Sequence, residues 1–230
     1  MIFNKKAILW DLDNTLYRIT PEFADILDGV MAEALIEDLG VKMDYETTKA
    51  TVKESYRLYR DGGEIFYRDY GVQPKALFDA YHKRKPVEYI KPFDGLADRL
   101  TKLPVQQYIF TTSSHDVAEK ILKRIDLYDL FKGKFYSVED FDTLKKNEDN
   151  AVYQKLCDTI GLAPSECIFV DDSYSNLEFP KQLGMTTVRI YYNQNSARDM
   201  DFIDMAYKGV DKFVDAFMEQ NLLDPDLLAK

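Results

Sequence analysis

Apolar residues follow two different rhythms along this chain. Ala7, Ile8, Leu9 and Trp10 form a short run between Lys5-Lys6 and Asp11, whose length and bulk predict a buried strand. From Thr20 to Pro92 the spacing is helical. Phe23, Ile26, Leu27, Val30, Met31, Ala34, Leu35 and Leu39 recur at steps of three and four, after Thr20-Pro21 and before Gly40, the residues that start and stop helices. Asp44 can cap a second helix reaching Tyr59 or Arg60, ended by Gly62-Gly63, and Glu64–Tyr70 and Pro74–His82 read as two shorter ones. No strand candidate interrupts this stretch.

From Phe93 onward the rhythm alternates. The pattern predicts helices over Asp94–Leu103, His115–Ile125, Asp149–Ile160 and Leu177–Leu183, with a last one near Val210–Glu219. Between them lie strand candidates at Gln107–Thr111, Lys134–Ser137, Cys167–Asp171, Thr186–Tyr191 and Phe202–Ala206. Alternating strands and helices imply an α/β, doubly wound parallel sheet. The expected organisation is a core made of residues 1–19 and 93–230, with residues 20–92 inserted as an all-helical cap domain.

Composition narrows the class. Of the 230 residues 46% are hydrophobic and 30% charged, an ordinary globular balance. A formal net charge of −10 argues against a nucleic acid polymer as partner. It leaves room for a small phosphorylated substrate, whose charge a metal and one lysine can meet locally. No apolar run is long enough to span a bilayer, so no membrane partner is expected. The first strand begins almost at once, so no signal peptide is expected either. Cys157 and Cys167 lack metal-binding spacing and read as two buried thiols of a cytoplasmic protein.

Chemistry collects where strands end. If the backbone stays extended past Trp10, Asp11, Asp13 and Thr15 point to one side, at the carboxyl edge where open α/β sheets bind ligands. Two such carboxylates repel, so one is protonated or a cation lies between them, and oxygen ligands of this kind suit Mg²⁺. A bare Asp-x-Asp can equally be a strand-end turn with solvated acids. The other strand ends decide between these readings. Gln107–Thr111 runs into Thr111, Thr112, Ser113 and Ser114, whose hydroxyls and N–H groups suit phosphate oxygens or cap the next helix. Lys145-Lys146 precede the helix at Asp149. Cys167–Val170 runs into Asp171-Asp172-Ser173 and then Asn176, paired acids with no basic neighbour in sequence.

These residues resemble the haloacid dehalogenase-like hydrolase superfamily, in its phosphatase branch with a helical cap. DLDNTLY at Asp11–Tyr17 is similar to its first motif and VDDSYSNL at Val170–Leu177 to its fourth. Together with IFTTS and YRDYG (Tyr67–Gly71), they resemble the pyrimidine 5′-nucleotidase group. The resemblance implies Mg²⁺ as cofactor and an aspartyl-phosphate intermediate. Asp11 is then the nucleophile and a metal ligand. Asp13 is the general acid and base, and lends its backbone carbonyl to the metal. Asp172 is the principal distal metal ligand, with Asp171 beside it. Thr111 holds a phosphate oxygen, and Thr112 stands where the group has asparagine. Lys146, nearer the expected spacing than Lys145, is the catalytic lysine that neutralises phosphoryl charge. The Lys-Pro common at that motif is replaced here by Lys146-Asn147.

Asp13 argues against a dehalogenase, because the superfamily's dehalogenases lack an acid at that position. The expected substrate is a small phosphomonoester, a nucleoside 5′-monophosphate with pyrimidine preferred. Tyr67 and Tyr70 of the cap are offered as base-stacking surfaces, although aromatics at helical spacing are ordinarily core. A phosphatase for a sugar phosphate or another small metabolite is the alternative. A non-catalytic phosphate- or nucleotide-binding protein on the same fold is the alternative from another class. Cap motion between open and closed states is expected to accompany turnover. No GxGxxG follows the first strand, which disfavours a dinucleotide-binding protein.

Overall fold

A computed structural model describes residues 5–192 and 200–222. The chain divides into two compact units, Met1–Arg18 with Lys91–Lys230, and Ile19–Ile90. The first unit contains a six-stranded sheet of β1 (Ala7–Trp10), β2 (Gln106–Thr111), β3 (Phe135–Ser137), β4 (Cys167–Asp171), β5 (Thr186–Tyr191) and β6 (Met205–Lys208). All its pairings are parallel, in the order β3-β2-β1-β4-β5-β6. Every residue of β1 and β4 is buried, as a parallel strand covered on both faces requires. The strand order reverses between β1 and β4, and the crevice beyond their carboxyl ends is where such sheets accept ligands.

The helical unit holds α1 (Pro21–Glu33), α2 (Tyr45–Tyr59), α3 (Glu64–Asp69) and α4 (Pro74–Arg84). The first helix keeps its predicted cap, with Thr20 accepting from the Phe23 N–H. It does not run on regularly to Leu39. Residues Ala34–Asp38 widen into a π-helical turn, with the Leu39 N–H donating to the Ala34 carbonyl, before Gly40 in the left-handed region stops it. Ala34, Leu35, Val41, Val52, Phe66, Val72, Leu77 and Ala80 form the core of this unit. Gly62-Gly63 serves a purpose other than the expected helix stop. Arg60 itself takes the left-handed conformation that ends α2, while a Cβ on Gly63 would lie 2.5 Å from Tyr67 Cζ and 2.7 Å from Leu77 Cδ2. The glycine admits a close approach.

Among the described residues of the first unit the α-helices are α5 (Leu96–Leu100), α6 (His115–Arg124), α7 (Tyr128–Phe131), α8 (Ala151–Ile160), α9 (Glu178–Gln182) and α10 (Val210–Leu222). The sequence pattern did not distinguish α7, a single turn. It also placed the last strand about three residues early. Phe202–Asp204 is instead locked onto β5, with Thr187 Oγ1 donating to the Phe202 carbonyl (2.7 Å) and Asp204 accepting from the Thr187 N–H (2.9 Å). Pairing with β5 therefore starts at Met205. Among the described residues no helix is long and apolar enough to cross a membrane.

One buried polar link ties the central strand to its neighbours. Trp10 Nε1 donates to Gln107 Oε1 (3.1 Å), and Gln107 Nε2 donates to the Leu100 carbonyl (2.7 Å). Replacing Gln107 by methionine strands the buried indole N–H, at a cost of about 1–3 kcal/mol. Urea unfolding of Gln107→Met is expected to show that loss with an unchanged m-value; an unchanged midpoint contradicts it.

Candidate active site

The site is built from the carboxyl ends of β1, β2 and β4. The sheet ladder continues one residue past β1, where the Asp11 N–H donates to the Val170 carbonyl at 2.8 Å. The chain then turns. The N–H groups of Thr15 and Leu16 both donate to the Leu12 carbonyl, and Asn14 sits at φ 61°, a conformation that asparagine tolerates better than most residues. The expected extended array of Asp11, Asp13 and Thr15 is therefore not formed. Thr15 Oγ1 is buried without a hydrogen-bond partner among the described residues.

Asp11 and Asp13 enter different surroundings as a result. Asp11 is 4% exposed. Lys146, 1% exposed, brings its Nζ to 2.5 Å from Asp11 Oδ1 and 3.1 Å from Asp171 Oδ2. One cation for the clustered acids thus comes from the chain itself, 135 residues away from Asp11. Its ammonium also lies 5.4 Å and 5.5 Å from the ring centroids of Phe110 and Phe169, whose faces favour a cation. Lys145 is engaged locally, its backbone N–H donating to Thr143 Oγ1.

The loop after β4 is fixed by Asp171. Its carboxylate accepts from the Ser173 N–H (2.8 Å), and Asn176 Nδ2 donates to both of its oxygens at 3.1 Å. Tyr153 of α8 donates its hydroxyl to the Asn176 carbonyl (2.8 Å) and sets its ring edge-on against Phe110 and Phe169. Asp172 accepts from Asn14 Nδ2 at 2.6 Å. Single carboxylate oxygens of Asp11, Asp171 and Asp172 lie within 4.8 Å of one another.

Electrostatics follow from this crowding. Burial pushes the Asp11 carboxyl up to about 7 despite the pull of Lys146, and Asp171 and Asp13 add to the rise. Burial, then the Asp171 and Asp11 charges, push Asp172 well above the carboxylate range. Burial works against the Lys146 ammonium, yet Asp11 and Asp171 hold it above its ordinary value. One ammonium bonds two of the three clustered acids, and a hard divalent cation fits the charge left over. Asp172, whose oxygens are not committed to Lys146, suits such an ion best.

Asp13 is held by hydroxyls instead. Tyr17 donates to Oδ1 at 2.5 Å, while Ser113 at 2.7 Å and Thr111 at 3.3 Å donate to Oδ2. Thr111 Oγ1 also accepts from the Ser113 N–H. Ser113 therefore serves Asp13 rather than capping α6, and Ser114 occupies the cap position without a side-chain bond. Thr112 is partly buried beside them. Tyr67 and Tyr70 belong to the helical unit. Tyr67 packs on that unit's core, and burial raises its phenol beyond the ordinary range. Tyr70 is 49% exposed.

Sequence reasoning gave no role to Tyr17 or to Phe110 and Phe169. The four-residue step from Asp13 to Tyr17 was the available signal, once a turn rather than a strand is assumed there. The two phenylalanines carried none beyond their place in apolar strands.

The profile of haloacid dehalogenase-like hydrolases matches residues 5–184. The chain belongs to that family. This haloacid dehalogenase-like hydrolase is 28% identical over 217 residues to the glyceraldehyde 3-phosphate phosphatase of Pyrococcus furiosus, covering 87% of each chain. It is 25% identical to the phosphoglycolate phosphatase of Thiobacillus denitrificans over 214 residues, 87% of this chain and 89% of that one. Its fold matches a conserved haloacid dehalogenase-like protein of unknown function from Agrobacterium tumefaciens, with a TM-score of 0.61 at 15% identity over 94% of this chain and 99% of that one.

Removing the ammonium leaves buried carboxylates facing each other. Lys146→Met is expected to lose about 3–5 kcal/mol of stability in chelator, the cost of orphaning a buried charge. Asp11→Asn introduced into that variant is expected to restore part of it. Urea titrations of the single and double variants check this, and equal stabilities for the two contradict it.

Proposed function

We propose that the protein is a Mg²⁺-dependent phosphomonoester hydrolase working through an aspartyl-phosphate on Asp11. The observation that carries this reading is the buried Asp11 at the end of β1, bonded to Lys146 beside Asp171 and close to Asp172, in a chain of this hydrolase family. Asp11 and Asp172 would hold the ion together with the Asp13 carbonyl, and Asp171 would support it while anchoring Lys146. When bound, Mg²⁺ supplies charge neutralisation that lets an anionic phosphate approach an anionic carboxylate.

The chain's own residues divide the remaining work. Lys146 favours the ionised, nucleophilic Asp11 and then offsets charge on the phosphoryl oxygens. Thr112, and Thr111 by turning its one hydroxyl proton from Asp13 Oδ2, would bind those oxygens. As the Asp11 oxygen bonds to phosphorus and the ester bond breaks, Asp13 gives its proton to the leaving oxygen. Asp13, now a carboxylate, removes a proton from the water that attacks phosphorus and frees Asp11. The two free, buried cysteines fit a reducing, cytoplasmic setting.

Substrate choice is assigned to the helical unit, residues Ile19–Ile90. The names of the Pyrococcus and Thiobacillus relatives support a small phosphorylated aldehyde or acid. The motif resemblance supports a pyrimidine nucleoside 5′-monophosphate. The relatives span most of the chain and weigh more than the motifs, so small phosphorylated metabolites come first.

Phosphate release from phosphoglycolate, glyceraldehyde 3-phosphate, UMP and CMP tests both levels. Turnover is expected with Mg²⁺, abolished by chelator, and reduced by at least about 100-fold in Asp11→Asn. Turnover concentrated on UMP and CMP would reverse the order of substrates. Full activity of Asp11→Asn would overturn the mechanism, and binding of Mg²⁺ and ligand without turnover would favour a non-catalytic protein.

A further inference from the structure

We infer that Tyr17 and Ser113 form a hydroxyl clamp that positions Asp13 for proton transfer to the leaving group. The inference rests on the phosphatase reading above. Asp13 differs from the other acids of the site in having its carboxylate outside the Asp11–Asp171–Asp172 cluster. It is gripped at both oxygens, Tyr17 Oη at 2.5 Å from Oδ1 and Ser113 Oγ at 2.7 Å from Oδ2, with Thr111 Oγ1 a longer and weaker third donor at 3.3 Å from Oδ2. Two donors on opposite oxygens fix both the direction of the carboxylate and its rotation about the Cβ–Cγ bond, which one donor cannot do.

The clamp is rigid where it matters. Tyr17 is fully buried and Ser113 is 1% exposed. Ser113 is itself fixed, its N–H donating to Thr111 Oγ1 (3.0 Å) and its carbonyl accepting from Ser137 Oγ (2.8 Å) at the end of β3. Tyr17 is carried by the turn after β1, four residues from Asp13. A buried phenol must direct its hydroxyl at a partner, and here that partner is the acid whose orientation decides proton transfer. Neither hydroxyl needs to touch substrate. Both act through Asp13, so they are positioning residues.

Proton delivery matters only when the leaving oxygen is a poor leaving group. An alkoxide needs the proton as the ester bond breaks, whereas nitrophenolate departs as a stabilised anion. Misorienting Asp13 therefore penalises alkyl phosphates selectively in kcat/KM, which reports the steps through departure of the leaving group. A loss from general damage to the site would fall on both substrates alike.

The experiment compares kcat/KM for glycerol phosphate and p-nitrophenyl phosphate in the wild-type protein, Tyr17→Phe, Ser113→Ala and Ser113→Thr, all with Mg²⁺. Tyr17→Phe and Ser113→Ala are expected to lose about tenfold or more on glycerol phosphate and less than about threefold on p-nitrophenyl phosphate. Ser113→Thr, which keeps the hydroxyl, is expected to restore the alkyl substrate. Equal losses on both substrates, or no loss on either, overturn the clamp. Ser113→Thr behaving like Ser113→Ala also counts against it. A wild-type protein that releases phosphate from neither ester overturns the phosphatase reading itself, a result distinct from all of these.

Discussion

One buried ammonium sets the terms for this fold. Lys146 lies between Asp11 and Asp171, which stand at the carboxyl ends of adjacent central strands. Carboxylates so placed would be costly without compensation, and the chain spends a lysine from a distant loop to make the arrangement tolerable. The lysine needs its own support, since burial disfavours its charge. Phe110 and Phe169 flank it with ring faces, and Tyr153 packs edge-on against both rings while its hydroxyl holds Asn176. The loop Asp171–Asn176 thus depends on the same interaction from two directions.

The environments of Asp11 and Asp13 separate their chemistry. Asp11 faces an ammonium and two acids in a buried corner, while Asp13 faces the hydroxyls of Tyr17, Ser113 and Thr111. Two carboxylates two residues apart can take different roles when their surroundings differ this much. The turn at Leu12–Leu16, with Asn14 in the left-handed region, creates that difference. Asn14 then reaches Asp172 and ties the turn to the loop after β4.

Much of this was legible in the sequence because it depends on local patterns. The apolar runs at Ala7–Trp10, Cys167–Asp171 and Thr186–Tyr191 became strands with little change, since a buried parallel strand has few alternatives. The acids and hydroxyls that mark strand ends converge because parallel strands end on one edge. What stayed hidden depends on long-range contact or on a local exception. The acids after β4 looked unpaired because their lysine arrives from 25 residues upstream. Tyr17 drew no role because the chain was expected to stay extended past Trp10. Gly62-Gly63 looked like a helix stop, whereas Gly63 makes room for Tyr67 and Leu77. Periodicity could not tell Tyr67, packed on the core of its unit, from exposed Tyr70.

The central claim is that phosphorus becomes bonded to the Asp11 carboxylate. The most direct measurement is acid quenching during turnover, borohydride reduction of the acyl phosphate, and peptide mass mapping. The account predicts conversion of Asp11 to homoserine, dependent on substrate and Mg²⁺. Reduction at a different acid, or none at Asp11 while phosphate release proceeds, would contradict it.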